Sequence, residues 1–191
     1  MTRSRRKILP ALVGLLFLSS TCVFGQTARE YFQRGMGSYG QGNFDQAIFE
    51  FSKAIEVDPT LGIAYNNRGV VYAREGSLER AIADFTMAIA NNSKDAQAYN
   101  NRGHAYTNLG RLSQAVEDYS RAIAIDSIYM KAYKNRGGAY FQLKEYNKAW
   151  ADLFKVEELG GTVDHDFYQA LKKATADLQL GNGMGQAGES R

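Results

Sequence analysis

Apolar and small residues recur at helical spacing through the middle of this chain, and the whole pattern returns at one constant interval, as from Tyr65 to Tyr99 to Tyr133. Tyr65, Arg68, Gly69 and Tyr72 stand at i, i+3, i+4 and i+7, the spacing of one helix face. The octet that holds them, YNNRGVVY at 65–72, returns as YNNRGHAY at 99–106 and as YKNRGGAY at 133–140. A looser copy, YFQRGMGS, occupies 31–38. A second stripe follows each octet: Ala47, Phe51 and Ala54, then Ala81, Phe85 and Ala88, then Ala115, Tyr119 and Ala122. Between the two stripes Gly42, Gly76 and Gly110 keep the same interval, and a glycine there can end a helix in the left-handed conformation. The pattern therefore predicts a helical hairpin per unit, with an A helix and a B helix. One hairpin cannot bury its apolar face alone, so the units must stack. Gly35, Gly69, Gly103 and Gly137 on the A helices, with Ala47, Ala81, Ala115 and Ala149 on the B helices, let backbones approach closely while the aromatics fill the space between hairpins.

These residues resemble the tetratricopeptide repeat family: an aromatic, then the small glycine, a tyrosine three further on, a turn glycine, and Ala, aromatic and Ala on the second helix. Pro59 closes the first unit as the family pattern does. The resemblance spans about residues 28 to 161. It departs where Ser93, Ser127 and Gly161 stand in place of a closing proline and where Lys144 replaces the turn glycine. It implies an all-α, right-handed solenoid of four hairpins at 28–61, 62–95, 96–129 and 130–161. Residues 162–180 follow as a capping helix, with Phe167, Ala170, Leu171, Ala174 and Leu178 on one face. The glycine-rich 181–191 has little to bury and reads as a disordered tail. In the first unit Gly35, Gly37, Gly40 and Gly42 crowd together, and each glycine inside a helix costs about 1 kcal/mol relative to alanine. The first A helix is therefore expected to be short or frayed.

Charge changes the picture at the N-terminus. The formal net charge is +3, from 23 basic and 20 acidic residues. Four of the basic residues, Arg3, Arg5, Arg6 and Lys7, lie in a segment without acids, so 19 basic residues face 20 acidic ones from Gln26 onward, a net of −1. No basic stripe remains there to meet phosphates, and nucleic acid is not an expected partner. The basic stretch, the apolar-rich run from Ile8 to Leu18 and the small residues up to Gly25 read as an export signal over 1–25, cleaved to leave Gln26 first. The apolar run is short of the roughly 20 residues that span a bilayer. The expected location is the periplasm or the extracellular space; the alternative is a membrane tether, through an uncleaved N-terminus or a lipid on Cys22. Cys22 is the one cysteine, which rules out a disulfide within the chain.

Candidate chemistry is sparse. Arg34, Arg68, Arg102 and Arg136 are each followed, at one fixed interval, by an acid: Glu50, Asp84, Asp118 and Asp152 in turn. These are either an anion site or, preferably, charge pairs inside the stack that set register. Asn67, Asn101 and Asn135 also keep the repeat interval, with Asn66 and Asn100 beside two of them. If the A helices line the concave side, they form a ladder of amides able to donate to and accept from the main chain of an extended peptide. The ladder resembles the asparagine ladders of peptide-binding helical solenoids. The alternative is that duplication copied a solvated residue. Lys131 and Lys134 would make that end of the groove basic, suited to an acidic side chain or a terminal carboxylate. The candidate peptide-binding set is therefore Asn66, Asn67, Asn100, Asn101, Lys131, Lys134 and Asn135. Some members of the family dock the C-terminal carboxylate of large chaperones with a fixed set of Lys, Asn and Arg. Aligned here, that set is incomplete: the first three units give Phe32, Met36, Asn67, Gln97 and Asn101, and the last three give Asn66, Val70, Asn101, Lys131 and Asn135; an exported chain would also not meet those partners, so that activity is not expected. His104 and His165 lie far apart along the chain with no clustered ligands, and no nucleophile has a base nearby, so no metal, cofactor or catalytic centre is expected. The sequence thus points to a non-enzymatic scaffold for a protein or peptide. Its alternative is a tethered subunit of an envelope or secretion assembly, and the array also allows end-to-end stacking with a second copy.

Overall fold

The computed structural model describes residues 27–186, so the expected export signal, Cys22 and the last five residues lie outside the described residues. Among the described residues nine helices follow one another and no strand occurs. Four hairpins come first: α1 (Ala28–Gly40) with α2 (Phe44–Val57), α3 (Gly62–Arg74) with α4 (Leu78–Asn91), α5 (Ala96–Asn108) with α6 (Leu112–Ile125), and α7 (Met130–Gln142) with α8 (Tyr146–Glu158). The ninth helix, α9 (His165–Gln186), packs on α8. The molecule is the expected all-α hairpin solenoid.

The core repeats as the sequence does. Ala47 and Phe51 on α2 pack with Val71 on α3. Ala81 and Phe85 on α4 pack with Ala105 on α5, and Ala115 and Tyr119 on α6 with Ala139 on α7. Leu171 on α9 completes the series against Ala149 and Leu153. Each B helix is thus sealed by the next A helix, which is why no hairpin stands alone. The glycines of the A helices are seats for these aromatic rings. A Cβ added at Gly69 would lie 2.8 Å from the Phe85 ring, and one at Gly103 would lie 2.8 Å from the Tyr119 ring. Turns also follow the pattern, with Gly42, Gly76 and Gly110 at φ of 78°, 77° and 71°. Lys144 takes the same turn at φ 62° without the glycine.

Two expectations need correction. The first A helix is neither short nor frayed: α1 has 13 residues, as many as the other A helices. Its start is fixed by a capping box in which Thr27 Oγ1 accepts from the Glu30 N–H and the Glu30 carboxylate accepts from the Thr27 N–H. Gly35 is buried under the Phe51 ring, so packing offsets the glycine penalty. The final helix does not stop at Leu180 but continues through Gln186, into the expected tail. No proline interrupts Gly181 to Gln186, so nothing covalent breaks the backbone hydrogen-bond ladder there.

Candidate functional site

The A helices of neighbouring units approach one another, α3 to α5 and α5 to α7, so they form the inner layer of the solenoid. Their outward registers line two open cavities. One, of about 780 Å³, takes in Phe32, Met36, Ile63, Asn66, Asn67 and Gln97. The other, of about 560 Å³, takes in Val70, Arg74, Asn100, Asn101, His104, Asn108, Lys131 and Asn135.

The candidate asparagines separate into two columns. Asn101 Nδ2 donates to Asn66 Oδ1 at 3.1 Å, and Asn135 Nδ2 donates to Asn100 Oδ1 at 2.9 Å. Asn66 is 4% exposed and Asn100 1% exposed. These two are therefore largely buried staples between successive A helices, at the floor of the two cavities. Asn100 Nδ2 is buried with no acceptor among its protein neighbours, an arrangement that costs about 1–3 kcal/mol where nothing else satisfies the donor. Asn67, Asn101 and Asn135 form the half-buried column. Asn67 Nδ2 donates to the Ile63 carbonyl of its own helix at 2.8 Å. Each amide in this column spends one N–H within the protein and keeps a second N–H and its carbonyl oxygen.

The structure divides the two candidate lysines. Lys131 borders the Asn101–Asn135 cavity, whereas Lys134 borders a separate cavity against α9. Both are exposed, and no carboxylate of the described residues forms an ion pair with either. His104 stands beside Lys131, and its pKa falls below the ordinary imidazole value, first through partial burial and second through the Lys131 ammonium. Both effects favour the uncharged imidazole.

The recurrent arginines are occupied inside the stack. Arg68 donates from Nε and Nη2 to the two Asp84 oxygens, each at 2.8 Å, and from Nη1 to Ser52 Oγ at 2.9 Å. Arg102 treats Asp118 and Thr86 in the same way, and Arg136 treats Asp152 and Ser120. Each guanidinium thereby ties its own A helix to the B helices of two consecutive hairpins. The bonds to Asp84 and Asp118 are the main reason that the Arg68 and Arg102 pKa values rise. Arg34 pairs with Glu50 at 3.0 Å. The hydroxyl partners Ser52, Thr86 and Ser120 keep the same repeat interval, a signal that sequence reasoning passed over. Among the described residues no group of three or more His, Cys, Asp or Glu side chains could hold a metal ion.

Comparison with known proteins agrees with this geometry. Tetratricopeptide repeat models match residues 39–76, 63–95 and 96–129. No curated protein matches the chain. Several solved structures share the fold. The first repeat domain of Spaghetti (RPAP3), bound to the HSP90 peptide SRMEEVD, is 28% identical, with a TM-score of 0.61 over 62% of this chain and 94% of that one. A crystal structure of MamA protein is 25% identical, with a TM-score of 0.73 over 85% of this chain and 88% of that one. PilF of Pseudomonas aeruginosa is 27% identical, with a TM-score of 0.64 over 69% of this chain and 60% of that one.

Proposed function

We propose that this tetratricopeptide-repeat solenoid is a non-catalytic scaffold that holds an extended segment of another protein along its inner face. The observation that carries the reading is the column Asn67, Asn101 and Asn135. In each of the second, third and fourth units it offers an amide with one N–H and one carbonyl oxygen left over. A peptide in extended conformation presents main-chain donors and acceptors that such a column can meet without reading side chains. Lys131 adds a positive charge to this end of the groove, which favours acidic residues in the segment. The similarity to a repeat domain caught with an acidic peptide supports the same polarity.

Export remains part of the proposal. The segment 1–25 reads as a cleaved signal, which puts the scaffold in the periplasm or outside the cell. The alternative is a subunit of an envelope or secretion assembly, tethered to the membrane by an uncleaved or lipidated N-terminus; among the described residues no helix is long and apolar enough to cross a membrane. Mass spectrometry of the mature protein separates the two. Gln26 at the N-terminus supports release, and Met1 or a modified Cys22 supports a tether.

The groove is tested with random peptides displayed on phage and selected on the full chain. Asn67→Ala is the clean variant, because the Asn67 amide bonds within the protein only to its own helix. Removing Asn101 or Asn135 would instead orphan buried Asn66 or Asn100. Loss of one main-chain hydrogen bond is expected to weaken selected peptides about three- to tenfold, and Lys131→Glu should weaken the acidic ones further. Peptides that bind both variants as tightly as the parent chain would rule out recognition in this groove.

A further inference from the structure

The inner column that runs Met36, Val70 and His104 ends at Gly138, which has no side chain to continue it. A Cβ built there would meet nothing within 4 Å. The asparagine staples also end here. Asn66 and Asn100 each receive an amide from the next A helix, whereas Lys134, at the same register, is exposed and faces no such partner. In place of the next staple there is a cavity of about 190 Å³, walled by Gly138, Leu153, Val156, Val163 and Phe167, with Lys134 on its border.

Size and lining limit what the cavity can hold. It falls below the roughly 300–1,000 Å³ of small-molecule and cofactor sites. It is a little larger than the roughly 150 Å³ of an apolar cavity that stays dry and takes benzene. One aromatic ring or one branched aliphatic side chain matches it. The charges on its border are not equivalent. Asp164 is committed to the start of α9, its Oδ1 accepting from the Phe167 N–H at 2.9 Å, while the Lys134 ammonium is unengaged by any described carboxylate.

We propose that this cavity is an anchor pocket for one large apolar side chain of a bound segment, with a carboxylate next to that residue pairing with Lys134. The segment's arrival along the inner face rests on the groove reading above. The pocket's chemistry stands on the missing side chain at Gly138 and on the unengaged ammonium.

The probe is 3-phenylpropionate, a ring and a carboxylate in one small molecule, titrated into the full chain while the methyl signals of Leu153, Val156 and Val163 are followed by NMR. Saturable shifts confined to those methyls are expected. The neutral alcohol 3-phenylpropanol should bind severalfold more weakly, and Lys134→Gln should erase that difference. Gly138→Leu, which fills the space and exchanges a poor helix former for a good one, should abolish the shifts while helical content is kept. Shifts that centre elsewhere, survive Gly138→Leu or never appear would overturn the proposal. Asn67→Ala separates this inference from the groove reading, because it should leave the fragment untouched. Peptides lost with Asn67→Ala but kept by Gly138→Leu would refute the anchor alone. A fragment that seats while no peptide is ever selected would refute the groove and leave only the pocket.

Discussion

Glycine has opposite roles at two positions of the inner helices, and the difference is a matter of what lies over the Cα. Gly103 sits beneath Tyr119, so an added Cβ would come 2.8 Å from the ring and 3.2 Å from the Ala115 carbonyl oxygen. Gly138 sits beneath open space. Alanine gains up to about 1 kcal/mol over glycine inside a helix, but forcing atoms into a packed core costs typically about 1–3 kcal/mol. Gly103→Ala is therefore expected to lower the unfolding free energy and Gly138→Ala to raise it, as read by urea denaturation; changes of the same sign would refute the assignment of both. Tyr119 supplies a second expectation. Burial pushes its phenol up to about 12 from an ordinary value of 10, against a smaller opposing effect of the Thr107 hydrogen bond. A folded-state pKa above the unfolded one stabilises the fold below about pH 10, and that contribution is lost as pH climbs towards 12. Tyr119→Phe removes the 3.0 Å bond to Thr107 and costs about 1 kcal/mol at neutral pH. Its unfolding free energy should then fall less between pH 10 and pH 12 than that of the parent chain. Sequence located both asparagine columns but could not assign them. Asn66 and Asn67 are adjacent in the chain and so only about 100° apart around the helix. Which of them turns into the interface depends on the crossing of α3 and α5, and no single-helix pattern encodes that.

At the scale of helices and turns, the repeat period carried nearly everything: hairpin number, turn positions, aromatic seats and the arginine–carboxylate partners. It did so because each internal unit meets the same neighbours, so a residue's role is copied with its position. Legibility fails where neighbours change. The first A helix looks weak by composition, yet the Thr27–Glu30 capping box and the Phe51 ring on Gly35 hold it at full length. The cavity beside α9 arises from the union of Gly138 with a helix outside the period, and no repeat template contains it. The fourth turn is the other departure. Lys144 carries φ 62° where its counterparts are glycines at 71–78°, and the left-handed region costs a side-chain-bearing residue about 1–2 kcal/mol. Lys144→Gly should therefore raise stability by about 1 kcal/mol, somewhat reduced by glycine's extra freedom in the unfolded chain. A drop in thermal midpoint would show that the lysine contributes something the backbone strain conceals.

For the whole molecule, stability is a chain of nearest-neighbour interfaces, each an apolar cluster on a B helix closed by the next A helix. The apolar face beginning at Phe167 shows, already in the sequence, where that chain must be closed; how the closure is made is a property of α9 in place. Leu171 is fully buried against Ala149 and Leu153, taking the part that Val71, Ala105 and Ala139 take in the preceding interfaces. Phe167 lies edge-on to Phe141, and Tyr168 lies edge-on to Trp150, so α9 covers both helices of the last hairpin. Removing residues 162–191 would strip one interface and expose the Leu153 side chain while leaving every other interface intact. In a nearest-neighbour array the lost free energy is local, and amides open in units that follow the hairpins. Hydrogen exchange in α7 and α8 is then expected to accelerate at least tenfold, a loss of about 1.4 kcal/mol or more. Exchange in α3 and α4, two hairpins away, should change little. Equal acceleration along the whole array would mean that the solenoid opens as one block. The arginines that each bridge two consecutive hairpins, from Arg68 to Arg136, would then be coupling the stack more strongly than its apolar interfaces do.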